Sequence, residues 1–191
     1  MCKQNKYFKK ISGEKVYLSP VNPDDYEIFG TWINDLSISC GTGGSSGNYS
    51  LAKEKETLEK LASEGHNYAI IDNSDNTVLG ISSLFDIDHL HRKAEMGIFI
   101  GDKNNHNKGY GKEAIELILS YGFKVLNLHN IMLKVFSFNK NAIEAYKKSG
   151  FNEFGRRHES FQINGKLYDD VYMEILRKDF HSPYLNDQLP S

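Results

Sequence analysis

A chain of 191 residues with 23 Lys and Arg against 25 Asp and Glu carries a formal charge of -2. That length suits one domain with a sizeable core, and the near-balanced charge gives no basic stripe, so a nucleic-acid partner is not expected. No apolar run approaches the ~20 residues that span a bilayer. Met1 to Lys10 is positive with no apolar stretch behind it, so it does not read as a signal peptide, and a cytoplasmic protein is expected. Cys2 and Cys40 lack metal spacing and a partner motif, so neither a disulfide framework nor a metal site is expected.

In chain order, Glu14 to Leu18 alternates and predicts a first strand; Pro23-Asp24-Asp25 then opens a helix with Tyr26, Phe29, Trp32 and Ile33 on one face. Gly41 to Asn48 lacks the ending of a Walker loop and reads as a mobile loop. Ser50 starts a second helix reaching to about Ser63. Tyr68 to Ile71 and Val78 to Phe85 read as strands joined by a turn at Asn73 to Asn76. Lys93 to Ile100 alternates, with Ala94, Met96, Ile98 and Ile100 on one face and Glu95, Gly97 and Phe99 on the other. After Gly109 a helix places Ala114, Leu117, Ile118, Tyr121 and Val125 against a sheet, and Ile131 to Phe136 is the next strand. The helix from Asn139 to Ser149 has a capping box in Asn141 and Glu144 and a terminating Gly150. Asn164-Gly165 then sets a hairpin in which Phe161 faces Tyr168, Glu159 faces Asp170 and Arg157 faces Tyr172. His181 to Ser191 has no periodicity and reads as a poorly ordered tail, leaving residues 1–180 as the single domain.

The stretch from Ile98 to Tyr121 organises the chain. Gly109 and Gly111 stand where a loop becomes a helix, and first-turn amides without intrahelical partners make an anion site, usually for phosphate. For the glycine pair alone, a helix start with no ligand is the preferred reading. Gly109 to Ala114 also satisfies a dinucleotide fingerprint, but eight residues, Gly101 to Lys108, separate it from the strand, and Ile131 to Phe138 holds no acid for a ribose. A dinucleotide oxidoreductase is therefore a distant alternative.

The order Met96-Gly97-Ile98-Phe99-Ile100, then His106-x-x-Gly109-x-Gly111, an amphipathic helix, a strand, and Asn139-x-x-Ala142-x-x-x-Tyr146-x-x-x-Gly150-Phe151 resembles the GNAT superfamily of N-acetyltransferases. Trp32 to Asp35 and the last hairpin are most similar to its ribosomal-protein N-terminal and spermidine acetyltransferase branch. The resemblance implies a mixed α/β (α+β) single-domain fold, with a mostly antiparallel twisted sheet of six to seven strands and about four helices. It implies acetyl-CoA as donor, its diphosphate on His106, Asn107, Lys108, Gly109, Tyr110, Gly111 and Lys112, its pantetheine arm along Ile98, Phe99 and Ile100, and its thiol end beside Asn139 and Asn141. The family usually has Gln or Arg where this chain has His106.

The implied reaction is direct attack of an amine in a ternary complex, with the oxyanion on a strand amide near Phe99. Tyr146 matches the family residue that protonates the leaving sulfur; its alternative is an aromatic packing role. With reference pKa values, that donation is uphill by roughly 2 kcal/mol. Glu95 is a candidate base, with a solvated carboxylate or a partner for Arg92 as the equal alternative. Glu159 and Asp170 suit attraction of a cationic acceptor, and Trp32 is placed with them as substrate-binding. The acceptor is a peptide α-amine, a polyamine or a small-molecule amine. A non-catalytic acyl-CoA sensor is the alternative from another class. An exposed sheet edge or hairpin could pair two copies.

Overall fold

The computed structural model describes residues 6–186 and 189. Its strands are β1 (Ile11–Ser12), β2 (Val16–Pro20), β3 (His66–Asp72), β4 (Val78–Asp88), β5 (Lys93–Ile100), β6 (Asn130–Phe136), β7 (Asn152–Ile163) and β8 (Lys166–Leu176). Its helices are α1 (Tyr26–Asn34), α2 (Leu36–Ser39), α3 (Leu51–Ser63), α4 (Tyr110–Lys124) and α5 (Lys140–Lys148). The strands form one sheet ordered β1-β2-β3-β4-β5-β6-β8-β7. All neighbours are antiparallel except β5 and β6.

The expected first strand lies two residues later, and the two-residue β1 pairs with its Tyr17 and Leu18, so the described sheet has eight strands rather than six or seven. The additional helix is the single turn α2, which Asp35 caps by accepting the Ser37 amide at 2.8 Å.

Apolar residues fill both faces of the sheet. Tyr68 and Ile70 of β3 enter one core and Ala69 and Ile71 the other, which is why this strand is a continuous apolar run. β5 divides the same way: Ala94 and Met96 are buried against the α4 side, whereas Phe99 joins Trp32 and Leu58 beneath α1 and α3. Along α4 the expected Ala114, Leu117, Ile118 and Tyr121 are buried, but Val125 lies past the helix end and is exposed.

The described part of the segment expected as a loose tail, residues 181–186, docks on α4. Lys124 Nζ donates to the carbonyls of Ser182 and Tyr184 at 3.1 and 2.6 Å, and Leu185 is buried. These bonds and one apolar side chain are contacts that hydrophobic periodicity does not register. Cys2 and tail residues 187, 188, 190 and 191 lie outside the described residues. No described helix is long and apolar enough to cross a membrane.

Candidate active site

The sheet forks between β5 and β6. Their parallel pairing covers Lys93↔Asn130, Ala94↔Ile131 and Glu95↔Met132 and then stops, while β6 continues to Phe136 paired with β8 alone. Met96 to Ile100 consequently has a backbone edge that β6 does not pair. The Gly101 amide donates to Leu79 O of β4 at 2.9 Å, so alternation turns the amides of Ile98 and Ile100 to the open side and that of Phe99 toward β4. Near Phe99 the strand amides that face the opening are therefore those of its two neighbours. His106 Nε2 lies 3.2 Å from Ile100 O, and because a carbonyl only accepts, that nitrogen carries the proton.

Beyond the fork the chain enters α4 through Asn107 and Gly109, both left-handed, with φ of 62° and 89°. No side chain caps α4, and the Glu113 amide is the first to bond back, to Gly109 O at 3.1 Å. The amides of Tyr110, Gly111 and Lys112 are thus first-turn donors without intrahelical acceptors. A Cβ on Gly111 would meet Ile100 only at 3.7 Å, so the protein's own packing does not demand glycine there. Lys15, unforeseen from the sequence, reaches this loop from the start of β2, donating to Lys108 O at 3.0 Å. The two residues are 93 apart in the chain, and no local pattern signals the contact.

On the β6 side, α5 follows directly from the strand. Asn139, not Asn141, is its cap: Asn139 Oδ1 accepts the Ala142 amide at 3.3 Å, and Asn141 is exposed within the helix. Glu144 pairs with Lys147 at 3.2 Å instead of completing a capping box. Asn139→Ala should cost about 1 kcal/mol in urea denaturation and Asn141→Ala almost nothing; equal losses would remove the assignment. Gly150 ends the helix as expected, at φ 96°. Tyr146 is 9% exposed, packs edge-on to Phe151 at 5.9 Å, and its hydroxyl makes no hydrogen bond to a described residue. Burial pushes its pKa up to about 12.

The Gly41–Asn48 segment, expected as a mobile loop, begins as a 3-10 turn over Cys40–Thr42 that rests on this same end of the fork. A Cβ on Gly41 would meet Asn139 Nδ2 at 3.4 Å, and Gly43 sits against the Phe136 ring. Phe136 in turn stacks on Phe161 at 4.1 Å and on Phe138 at 5.4 Å, and Phe138 meets Tyr168 at 5.0 Å. Of this aromatic wall, the sequence discloses the Phe161–Tyr168 pair through the hairpin turn.

Glu95 is half-buried at the last parallel pair. Burial raises its pKa, Asp86 raises it further and Lys134 opposes both. Arg92, its alternative partner, bonds Asn127 instead. Asp170 is buried with Oδ2 3.9 Å from Lys134, and Oδ1 has no hydrogen-bond partner. Glu159 is not its neighbour. A bulge between Arg157 and Phe161 resets the register, so Arg157 faces Asp170 and Gly155 faces Tyr172. Glu159 lies in that bulge at φ 50°, exposed, with its amide donating to Asp169 Oδ1 at 3.1 Å. The two-residue turn fixed the register only as far as Phe161↔Tyr168. Trp32 is 6% exposed, wedged edge-on to Phe29 and Phe99 at 5.1 and 5.9 Å, a core position beneath α1.

A forked sheet whose open edge runs toward an uncapped, glycine-led helix start defines a class of fold. Residues 15–152 match the acetyltransferase (GNAT) domain, and the chain belongs to that family. It is 36% identical to a spermidine N(1)-acetyltransferase of Vibrio cholerae over 61% of this chain and 65% of that protein. It is 28% identical to a putative ribosomal N-acetyltransferase of Bacillus subtilis, over 56% of this chain and 57% of that one. The chain thus spans somewhat under two thirds of these curated relatives. Among solved structures, the Vibrio cholerae spermidine N-acetyltransferase in complex with CoA and spermine superimposes with a TM-score of 0.78 at 27% identity, covering 87% of this chain and 98% of that one.

Proposed function

We propose that the chain moves an acetyl group from acetyl-CoA to a primary amine in a single ternary complex. The observation that carries this reading is the fork: an unpaired strand edge at Met96–Ile100 leads to the free amides at the start of α4. An extended, amide-bearing arm with a diphosphate at one end complements both features. Ile98 and Ile100 would pair with the arm. Tyr110, Gly111 and Lys112 would donate to the diphosphate, with Lys15, Lys108 and Lys112 supplying positive charge. Acetyl-CoA, when bound, supplies an acyl group activated as a thioester.

The chain's own groups account for the proton movements. Tyr146, neutral through the physiological range, holds a proton for the departing sulfur. Glu95, with its pKa raised, takes one from the amine directly or through water. The buried, partnerless Oδ1 of Asp170 favours a cationic acceptor. The acceptor is a peptide α-amine, a polyamine or a small-molecule amine, and the names of the relatives lend weight to the first two. Incubation with acetyl-CoA and a panel of these amines, read by mass spectrometry, should give the acetylated amine and free CoA. CoA binding without release for every amine would favour the sensor instead.

A binding test is independent of turnover. Gly111→Ala should weaken CoA about tenfold, because a Cβ crowds the donor amides. The same change should not lower the melting temperature, since alanine suits a helix better by up to ~1 kcal/mol. Unchanged CoA affinity would place the diphosphate elsewhere.

A further inference from the structure

At the mouth of the fork one cation stands between two carboxylates. Glu95 of β5 is the last residue that β6 pairs, opposite Met132, and Asp170 of β8 faces Phe136. Lys134 lies midway between Met132 and Phe136 on β6, so it shares their face of the sheet, about 7 Å along the strand from either. Its ammonium is placed with Asp170, 3.9 Å from Oδ2, and 6.0 Å from the centre of the Phe136 ring. Glu95 is left without a hydrogen bond or ion pair to any described residue. The other charges around it do not compensate it. Asp86 of β4 is a second anion, Lys93 on its own strand faces Asp88, and Glu174 of β8 accepts from Asn130 at 2.7 Å.

Burial decides which carboxylate takes the cation. Asp170 is 5% exposed, its Oδ1 has no partner, and Lys134 is the cation paired with it among the described residues. Arg157 faces Asp170 from β7 but is exposed and forms no ion pair with it. A buried carboxylate loses more by forgoing a cation than a half-buried one does, so the ammonium settles on Asp170. We propose that Asp170 is a positioning residue: it holds the Lys134 ammonium on the β8 side of the fork and so leaves Glu95 unpaired, free to accept a proton from the acceptor amine. The inference rests on the acetyl-transfer reading with Glu95 as base and adds the group that keeps that base free. In this role Asp170 acts through Lys134 rather than on the amine. Even from its present place Lys134 opposes the rise in the Glu95 pKa that burial and Asp86 produce. Closing into an ion pair with Glu95 would strengthen that opposition and make Glu95 a weaker base.

Carbon-13 NMR titration of the Glu95 carboxyl in the full chain tests the proposal without substrate, with circular dichroism reporting that each variant folds. Asp170→Asn should release Lys134 and lower the Glu95 midpoint by about one pH unit; Asp170→Ser takes its place if the amide variant does not fold. Asp170→Glu, which keeps the anion, should leave the midpoint near that of the wild type. Lys134→Met should raise the midpoint, and adding Asp170→Asn to it should move it no further. A midpoint unmoved by Asp170→Asn, or an equal fall when Lys134 is already replaced, overturns the proposal. With an amine that is acetylated, the acid limb of kcat/KM should follow the Glu95 midpoint, because that ratio reports the free enzyme. Glu95→Gln separates the two readings. Full turnover by Glu95→Gln, with the midpoints of the other variants shifting as expected, removes the base and leaves the hold of Asp170 on Lys134. Lost turnover by Glu95→Gln, with a Glu95 midpoint indifferent to Asp170, removes the hold alone.

Discussion

Replacing Tyr146 by phenylalanine should lower turnover by about two orders of magnitude, within the ~10²–10⁴ that a positioned proton donor contributes. The same substitution should leave unfolding within about 0.5 kcal/mol of the wild type. The two expectations are linked by one feature: the ring is buried while the hydroxyl bonds to no described group, so its removal orphans no partner. The ring, with its contact to Phe151, is kept. Burial also alters the chemistry. At a pKa of about 12 rather than the ordinary 10, full donation to a thiolate rises from roughly 2 to roughly 5 kcal/mol uphill. Tyr146 therefore does better by hydrogen-bonding the sulfur as charge develops than by surrendering its proton early. Because the raised pKa keeps the hydroxyl protonated, the wild-type rate should show no falling limb from this group below about pH 12. Full turnover by Tyr146→Phe with intact folding would reduce the residue to an aromatic packing role.

What was legible in the sequence was set by local physics. β5 matches its expected span, Lys93 to Ile100, with both faces correctly divided, because strand alternation is a property of neighbouring residues. Gly109 and Gly150 announce a helix start and a helix end through the left-handed backbone that glycine permits. Non-local features were silent. Asn139 and Asn141 are both competent caps, and the choice between them depends on how β6 hands the chain to α5. The bulge that separates Glu159 from Asp170 has no glycine or proline to mark it. Lys15 reaches the glycine loop only because β2 folds beside it; on its own element it reads as a solvated charge. The position of the fork is likewise a matter of where β6 leaves β5 for β8, which depends on three strands at once.

The largest loss of stability is expected from Glu113→Ala. Glu113 stands in the first turn of α4 and is 6% exposed, yet its carboxylate is fully engaged. Oε1 accepts the Glu14 amide at 2.6 Å and the Tyr184 hydroxyl at 2.8 Å, and Oε2 accepts the amides of Lys15 and Val16 at 2.9 and 3.0 Å. One side chain therefore binds the β1–β2 turn and the docked C-terminal segment to the helix. Alanine leaves three backbone donors without an acceptor, and hydrogen bonds to charged groups contribute about 1.5–3 kcal/mol each, less than additively when shared. A loss of about 4 kcal/mol is expected, read as a lower urea midpoint at unchanged m value. Glu113→Gln should fall between, since its amide nitrogen can accept from none of these donors, and Tyr184→Phe should cost only about 1 kcal/mol. The clamp also bears on function, because the turn it holds carries Lys15, whose ammonium bonds Lys108 O on the glycine loop. CoA affinity should drop with Glu113→Ala even under conditions where the chain stays folded, and Lys15→Met should reproduce that drop without the loss of stability. If Lys15→Met binds CoA normally while Glu113→Ala does not, the turn supports the loop by packing rather than by charge.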